Sequence, residues 1–319
     1  MRPWRSDPGA LRLLDEKGGP FLQAGVRKAL VDAYPGWADV SVGARMEDAT
    51  LAAVGLIDVG GKADSIPFAY GGIVASRRLL LTEVESLLDF ARRSARTPSL
   101  ECRAIPVTAD DGTRHDGGTV SGWSQAVFLP KGHSPEARWA YKARRAIRIA
   151  REAGADVRIG REPEPFLRLY RTAAKKHIYR FPDRLLEALG ATGLMRFYDV
   201  LLEDNVVSSV AALVGRSHWI AWLAAQDSAG RAISGNYLAV GSLLEDAYGQ
   251  GVGAVNFGVS TGMPTVAHFK RRFDAVEVPV IRHVISSRAH GWRTSAKIHF
   301  RLGRRSLRRF MRSWTQRRN

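Results

Sequence analysis

Residues 254–273, AVNFGVSTGMPTVAHFKRRF, decide how the rest of this chain is interpreted. The apolar run ends at Gly258, a polar loop follows through Pro264, and Phe269-Lys270 then precede two arginines. Short apolar runs that end at glycine and proline are typical of strands that lead into loops. The stretch therefore predicts a strand that delivers a loop of ligand-facing groups.

The composition bounds the class of protein. A chain of 319 residues with 45% hydrophobic content can bury two ordinary cores, which predicts two domains. No apolar run reaches the roughly 18 to 20 residues that span a bilayer, and residues 1–19 lack the apolar segment of a signal peptide, so we expect a cytoplasmic protein. The single cysteine, Cys102, excludes an internal disulfide and a cysteine-rich metal site. We expect no metal.

The charge is strongly basic. A net charge of +17 favours encounter with polyanions such as RNA, anionic lipid surfaces and phosphorylated substrates. Residues 278–319 hold twelve Lys or Arg and no Asp or Glu, so the first 277 residues carry a net charge of only +5. The excess lies in the C-terminal segment, which could bind tRNA, lie against the inner face of the membrane, or only keep the protein soluble.

Hydrophobic periodicity predicts mixed helices and strands along the whole chain. The first half has helical spacing at 21–34 and 79–93, the latter with Thr82 and Glu85 as a capping box, and strand-like runs at 50–60, 100–105 and 119–129. The second half has a basic helix that starts at Ser134-Pro135, a helix at 164–177, strands at 195–203, 206–214 and 218–225, and a helix at 236–248. The three consecutive strands predict an antiparallel meander.

Three stretches resemble one known family, the FemAB/FemX-like proteins of the GNAT-type acyltransferases. Residues 243–270 follow its order of helix, glycine, "FG" strand, variable loop and Phe-Lys pair. Residues 65–72, SIPFAYGG, are similar to its "PF…YGG" segment, and residues 142–154, KARRAIRIAREAG, are similar to its basic helix that ends in glycine. Together these stretches cover roughly residues 60 to 280.

The resemblance implies a fold and a division of the chain. The fold class is α+β (mixed α/β), with two tandem GNAT-like domains and a basic C-terminal helix. Residues 1–130 would form the first GNAT-like domain, on the acceptor side, and residues 131–282 the second, on the donor and transfer side. Residues 283–319 would form a basic amphipathic C-terminal segment.

The resemblance also implies the chemistry of transfer. Its well-studied members take aminoacyl-tRNA as the donor, and their Phe-Lys pair lies beside the site of transfer. Carried over, Phe269 packs near the reacting ester, Lys270 supplies positive charge to the developing oxyanion, and His268 is a possible proton acceptor. No cofactor would be bound permanently. An aminoacyl ester is already activated, so positioning an amine against it supplies much of the rate.

Two sets of binding residues follow from the same comparison. The substrate-binding candidates are Tyr70, Gly71, Gly72, Arg180 and Asn236. The candidates for tRNA or other phosphates are Lys142, Arg144, Arg145, Arg148, Arg271 and Arg272, because guanidinium matches phosphate bidentately. For each basic residue, a solvated helix face is the alternative interpretation.

Residues 226–236, QDSAGRAISGN, bear on the choice of donor. The glycine-rich pyrophosphate loop of acetyl-CoA-dependent GNAT enzymes is incomplete there, which weakens an acyl-CoA donor. The first hypothesis is therefore an aminoacyl-tRNA-dependent aminoacyltransferase that acts on an amine of a peptidoglycan precursor or a peptide-like natural product. The alternative is an acyl-CoA-dependent N- or O-acyltransferase acting on a cell-surface saccharide precursor. A third hypothesis is a catalytically idle tRNA- or membrane-binding module.

Overall fold

A computed structural model of the protein describes residues 4–65, 72–105, 118–173, 181–216, 218–260 and 262–287. The helices in these ranges are α1 (Arg12–Glu16), α2 (Ala24–Ala33), α3 (Leu81–Ser94), α4 (Tyr141–Glu152), α5 (Glu164–Ala173), α6 (Asp183–Ala191), α7 (Ser228–Ala232), α8 (Gly235–Gly249) and α9 (Pro264–Arg271). Short 3-10 helices cover Pro8–Leu11, Pro20–Leu22 and Pro135–Arg138. None of the described helices has the length and apolar character needed to cross a membrane.

The strands form two sheets. They are β1 (Arg5–Ser6), β2 (Ala38–Asp39), β3 (Val42–Arg45), β4 (Leu51–Gly55), β5 (Ile57–Asp58), β6 (Ala63–Asp64), β7 (Gly72–Ala75), β8 (Ser99–Ala104), β9 (Thr119–Phe128), β10 (Asp156–Gly160), β11 (Met195–Leu202), β12 (Asn205–Leu213), β13 (Trp219–Gln226), β14 (Ala254–Val259) and β15 (Val276–Ser286). The smaller sheet has the order β1-β3-β4-β7. The larger has eleven strands in the order β10-β11-β12-β13-β14-β9-β15-β8-β6-β5-β2.

The large sheet is continuous between the two halves of the chain. Strand β9, from the first half, lies between β14 and β15, and β15 in turn pairs with β8. Strand β15 runs across the predicted boundary at residue 282. The strands on either side of residues 130 and 282 thus share one hydrogen-bonded sheet. The three predicted domain ranges stay a prediction.

Helices cover both faces of the second half of this sheet. On one face, α4 and α8 pack around Trp139 and Phe273 with Val127 of β9 and Val255 of β14. On the other face, α5 and α6 pack with α2 of the first half against β11, β12 and β13. These two layers hold β13 from both sides and β14 from the side of α8, and the candidate site lies between those strands.

The mixed α/β class predicted from the sequence is confirmed, as is the meander, which is β11, β12 and β13 in antiparallel register. Several boundaries were wrong. The run 50–60 divides at Leu56 into β4 and β5. The basic helix begins at Tyr141, because the 3-10 turn Pro135–Arg138 precedes it. Helix α3 begins at Leu81, so Thr82 lies inside the helix and does not cap it. Leu80 is at the N-cap position, and the Glu83 carboxylate accepts its N–H at 2.9 Å.

The most consequential correction concerns residues 264–271. The sequence predicts a polar loop through Pro264 that the Phe269-Lys270 pair follows, and it predicts no helix here, whereas the structure places the pair in helix α9, with Pro264 at its first position. Proline suits that position because its missing N–H would have had no partner inside the helix. One face of α9 is therefore held against the sheet, and Ala267 and Lys270 are buried there.

Candidate active site

The two central strands separate where the site lies. Strands β13 and β14 are parallel and pair only at Trp219 with Val255 and Ile220 with Asn256. Beyond these pairs β13 continues to Gln226 and β14 to Val259 without further described pairing. Backbone groups of two strand edges thus face a gap that opens toward the C-terminal ends of both strands.

A bulge in β14 shapes one side of this gap. The register with β9 shifts between Asn256 and Val259, and Gly258 has a φ of +73°. The buried Asn256 Oδ1 accepts hydrogen bonds from Ser124 Oγ (2.8 Å) and from the Gly258 N–H (2.7 Å), which hold the bulge. Apart from its two chain neighbours, no described residue has an atom within 4 Å of where a Cβ on Gly258 would be, so this backbone borders open space.

Lys270 is aimed at the bulge from α9. Its side chain is 8% exposed, and Nζ donates to the carbonyl oxygen of Gly258 at 2.9 Å, with that of Val259 at 3.5 Å. The described contacts of Nζ include no carboxylate. Burial lowers the pKa of Lys270 to about 8, because the charged form loses its hydration. The site therefore holds a cation that its surroundings do not neutralise.

The other residues of the predicted catalytic group have different settings. Phe269 packs with its ring 4.7 Å from that of Tyr237 and 5.5 Å from that of Phe273, so it joins α9 to the core under α8. His268 lies on the exposed side of α9. The predicted roles of Phe269 and His268 stay predictions.

The two arginines after Lys270 also differ from each other. Arg271 is exposed. The Arg272 guanidinium donates to the Tyr237 hydroxyl and lies over its ring at 5.8 Å, while its carbonyl accepts the Ala140 N–H at 2.8 Å. Arg272 thus fastens α9 to the starts of α4 and α8, and Arg271 is the freer of the two to meet a phosphate.

Residues 226–236 pack closely against β12, and the Asp227 carboxylate lies at the start of α7. The Asp227 carboxylate caps α7 by accepting the Gly230 N–H at 2.8 Å. A Cβ on Gly230 would come within 2.2 Å of the Val207 carbonyl, so the segment is pressed against β12. At the start of α8, Asn236 Oδ1 accepts from Ser208 Oγ at 2.8 Å. An amide that could bind pyrophosphate is therefore already bonded to an acid.

Helix α4 presents a basic outer face. Its apolar residues Ala143, Ala146, Ile147 and Ala150 recur at helical spacing and are buried. The predicted phosphate-binding residues Lys142, Arg144, Arg145 and Arg148 are all exposed. Arg144 donates to the carbonyl of Trp139 and Arg148 lies 3.5 Å from Glu152, whereas no ion pair is described for Lys142 or Arg145.

The structure describes only part of the predicted substrate-binding set. Tyr70, Gly71 and Arg180 lie outside the described residues. Gly72 is buried and begins β7, where it pairs with Gly55. The structure therefore brings Phe269 and Arg272 together around Tyr237, which follows Asn236 directly, while Lys270 of the same helix contacts β14 and Gly72 lies in the other sheet.

Sequence reasoning missed a buried polar network beside Lys270. Besides the Ser124 and Asn256 contact, Ser260 Oγ donates to Gln125 Oε1 at 2.8 Å, and Gln125 Nε2 donates to the Ala267 carbonyl at 3.3 Å. These bonds join β9 to the end of β14 and to α9. The one available signal was Asn256 itself, a polar residue inside an apolar strand.

The comparisons with known proteins agree with this arrangement. Residues 137–271 match the family described as acetyltransferase (GNAT) domain. The fold is similar to the crystal structure of FemX, with a TM-score of 0.66 and 10% identity over 91% of this chain and 99% of that one. By sequence, no curated protein matches the chain.

Two further solved structures share the fold. One is the C-terminal domain of a putative lysylphosphatidylglycerol synthetase from Agrobacterium fabrum, with a TM-score of 0.52 and 12% identity over 88% of this chain and 92% of that one. The other is L-PGS from Bacillus licheniformis, with a TM-score of 0.50 and 15% identity over 88% and 92%. The predicted FemX-like, GNAT-type fold is confirmed.

Proposed function

We propose, from the premise that this chain is an enzyme of the GNAT superfamily with the FemX fold, that it transfers an aminoacyl group from aminoacyl-tRNA to an amine. The product is an amide on a peptidoglycan precursor or a peptide-like natural product. The observation that carries the proposal is Lys270, a buried cation without a described acidic partner, held at the bulge where β13 and β14 separate.

The geometry supports a simple route for the reaction. The acceptor amine attacks the ester carbonyl in the gap, and the carbonyl oxygen becomes an oxyanion. The Lys270 ammonium stabilises this charge and gives a proton to the ribose oxygen as the ester bond breaks, so that this oxygen leaves as a hydroxyl. The amine must lose one proton in the same cycle; we propose that solvent carries it to His268, on the exposed side of α9, and that solvent likewise restores the Lys270 ammonium.

Residue Asp227 favours aminoacyl-tRNA over acyl-CoA as the donor. The pyrophosphate of CoA needs free backbone N–H groups near a helix N-terminus and a positive local field. The Asp227 carboxylate already accepts the hydrogen bond of the Gly230 N–H and brings a negative charge to this position. A tRNA donor has no such requirement, since its phosphates can contact the exposed basic face of α4.

A second candidate is the acyl-CoA-dependent N- or O-acyltransferase acting on a saccharide precursor. It is favoured by the description of the matched family as an acetyltransferase domain. For this function, the exposed Arg231 and the start of α8 would have to hold the pyrophosphate in spite of Asp227.

Equilibrium binding to the full chain tests the choice of donor. We expect tRNA to bind in the micromolar range or tighter and acetyl-CoA to bind at least 100-fold more weakly. The variant Asp227→Asn keeps a capping oxygen and removes its charge, so it should improve CoA binding without changing tRNA binding. Micromolar affinity of the wild type for acetyl-CoA would favour the second candidate.

A further inference from the structure

A cluster of five charged side chains lies on one face of the large sheet, away from Lys270. It is formed by Lys62, Asp64, Glu101, Arg103 and Arg282, from the β5–β6 connection and from strands β6, β8 and β15. The register sets Asp64 beside Glu101 and Arg103 beside Arg282. The residues between them, Cys102 and His283, point to the opposite face and are buried.

Three cations converge on one carboxylate in this cluster. Arg282 bonds both oxygens of Glu101, with Nε at 2.9 Å and a terminal nitrogen at 3.0 Å. Arg103 reaches Glu101 at 2.8 Å and Lys62 reaches it at 2.8 Å. Although burial acts in the opposite direction, the bonds from Arg282 and Lys62 hold the pKa of Glu101 below its ordinary value. Glu101 is an anchor that fixes the positions of all three cations.

The acids form the floor of the cluster and the cations its rim. The side chains of Asp64 and Glu101 are 7% and 8% exposed, whereas those of Lys62, Arg103 and Arg282 are 36%, 26% and 44% exposed. With three cations and two acids, the cluster has a net charge of +1 when all are ionised. A ligand that approaches this face therefore meets positive charge.

Asp64 is incompletely bonded. Its Oδ2 lies 3.4 Å from Lys62 and 3.5 Å from Arg103, but its buried Oδ1 has no hydrogen-bond partner among the residues that the structure describes. Burial raises the pKa of Asp64 above its ordinary value. A cluster that served only to stabilise the sheet would be expected to use both oxygens, because buried polar atoms in folded proteins are nearly always hydrogen-bonded.

The cluster lies on the side toward which the site opens. Val259 at the end of β14 is in register with Ser124, and Ser124 with Val278 of β15. Arg282 is four residues farther along β15, so two strand spacings and four residues separate it from the gap, on the order of 15 to 20 Å. Val278, Val280 and Ile105, which lie between the two, are buried apolar residues.

We propose that Lys62, Arg103 and Arg282 bind an anionic group, a phosphate or a carboxylate, of an extended acceptor substrate whose amine reaches the gap beside Lys270. The binding site stands on its own geometry, and only its assignment to the acceptor rests on the proposed function. The enzyme would then select acceptors whose anionic group lies on the order of 15 to 20 Å from the reacting amine.

Chemical footprinting of arginine on the full chain tests the site. Phenylglyoxal modifies exposed guanidinium groups, and peptide mass spectrometry reports the rate at each arginine, with inorganic pyrophosphate and succinate as separate probes. Arg77 is the matched reference, because it is 40% exposed and is also paired with two acids, Asp48 and Glu83.

We expect one of the probes to slow the modification of Arg282 at least five-fold while Arg77 is unaffected. Protection by pyrophosphate alone identifies a phosphate site, and protection by succinate alone identifies a carboxylate site. Equal protection of Arg77 and Arg282, or protection of neither, overturns the proposal.

Two variants guard against a folding artefact. Arg282→Gln alone leaves Glu101 with fewer partners, whereas Glu101→Gln with Arg282→Gln removes the pair together. Both should weaken binding of the protecting probe at least five-fold, and unchanged affinity in a folded double variant would overturn the proposal. The assay contains no tRNA, so a failure of aminoacyl transfer would leave the anion site standing, and a failed footprint would leave the transfer untouched.

Discussion

Among single residues, Lys270 is the one on which the proposed chemistry depends most. Replacing it with Met keeps the length of the side chain and removes the charge. We expect kcat to fall on the order of 100- to 1,000-fold, as when one oxyanion-stabilising group is removed. The matched control is Lys131→Met, an exposed lysine before α4. Full activity of Lys270→Met would show that the reaction takes place elsewhere.

The pKa of Lys270 makes a separate prediction about stability. Burial lowers it from 10.5 to about 8, so the folded protein binds this proton less tightly than the unfolded chain does. Below about pH 8 the cost of burying the charge is fully present, and it disappears as the pH rises toward 10.5. The free energy of unfolding of the wild type should therefore rise by about 3 kcal/mol relative to Lys270→Met over this range.

Denaturant unfolding of both proteins at several pH values measures this difference. Other lysines and tyrosines titrate in the same range, but they are common to the two proteins and cancel. A constant difference between pH 8 and 10.5 would mean that the Lys270 pKa is not lowered in the fold.

Among the structural elements, the bulge of β14 should affect catalysis as well as the stability of the fold. Gly258→Ala places a Cβ in open space but at a φ of +73°, which costs about 1 to 2 kcal/mol. Gly251→Ala is the matched control, with a φ of +72° and equally open surroundings. We expect similar losses of stability and a much larger loss of kcat for Gly258→Ala, because its carbonyl holds Lys270. Equal activities would contradict a role for the bulge.

The basic face of α4 gives the second prediction at this scale. Changing Lys142, Arg145 and Arg148 to Gln should weaken tRNA binding and reduce the slope of log K against log salt by up to about 0.9 per lost contact. Activity at saturating tRNA should remain, since these residues lie outside the gap. The control is a triple change on another surface, at the exposed Arg5, Arg12 and Lys28. If the two triple variants weakened tRNA binding equally, tRNA would bind through overall charge and not through the face of α4.

Elements with a strong period were predictable from sequence, and short ones were not. The apolar stripe of α4 and the meander follow from periodicities of 3.6 and 2, which packing enforces. Helix α9 is only eight residues long, and Val266 and His268 on it are exposed, so its pattern is weak; Pro264 at its start was the usable signal. The 3-10 turn before Tyr141 was missed because Ser134-Pro135 suits either kind of helix.

For a related reason, only part of the candidate site could be predicted from the sequence. Lys270 was identified through a motif, but its burial and its bonds to β14 carbonyls depend on how α9 docks on the sheet. The network of Ser124, Gln125 and Asn256 joins residues more than 130 positions apart. The cluster around Glu101 likewise depends on the return of β15 to β8, which no local pattern encodes.

At the scale of the whole molecule, the net charge of +17 predicts how activity responds to salt. A tRNA donor releases counterions on binding, so kcat/KM for the charged tRNA should fall steeply between 50 and 200 mM salt, by about 10³ if six phosphates are contacted. An acyl-CoA donor has few phosphates and should respond weakly. If kcat/KM for the charged tRNA did not change with salt, the basic surfaces would not contribute to tRNA binding.

Transfer of a labelled amino acid from tRNA to an amine tests the proposed reaction directly. The purified full chain is incubated with a pool of tRNAs charged with labelled amino acids and with cell extract as the source of acceptor. We expect a labelled product that resists RNase and mild base, as an amide does and an ester does not, and that is lost with Lys270→Met. The absence of such a product, together with turnover of an acyl-CoA in the same extract, would contradict the proposed reaction.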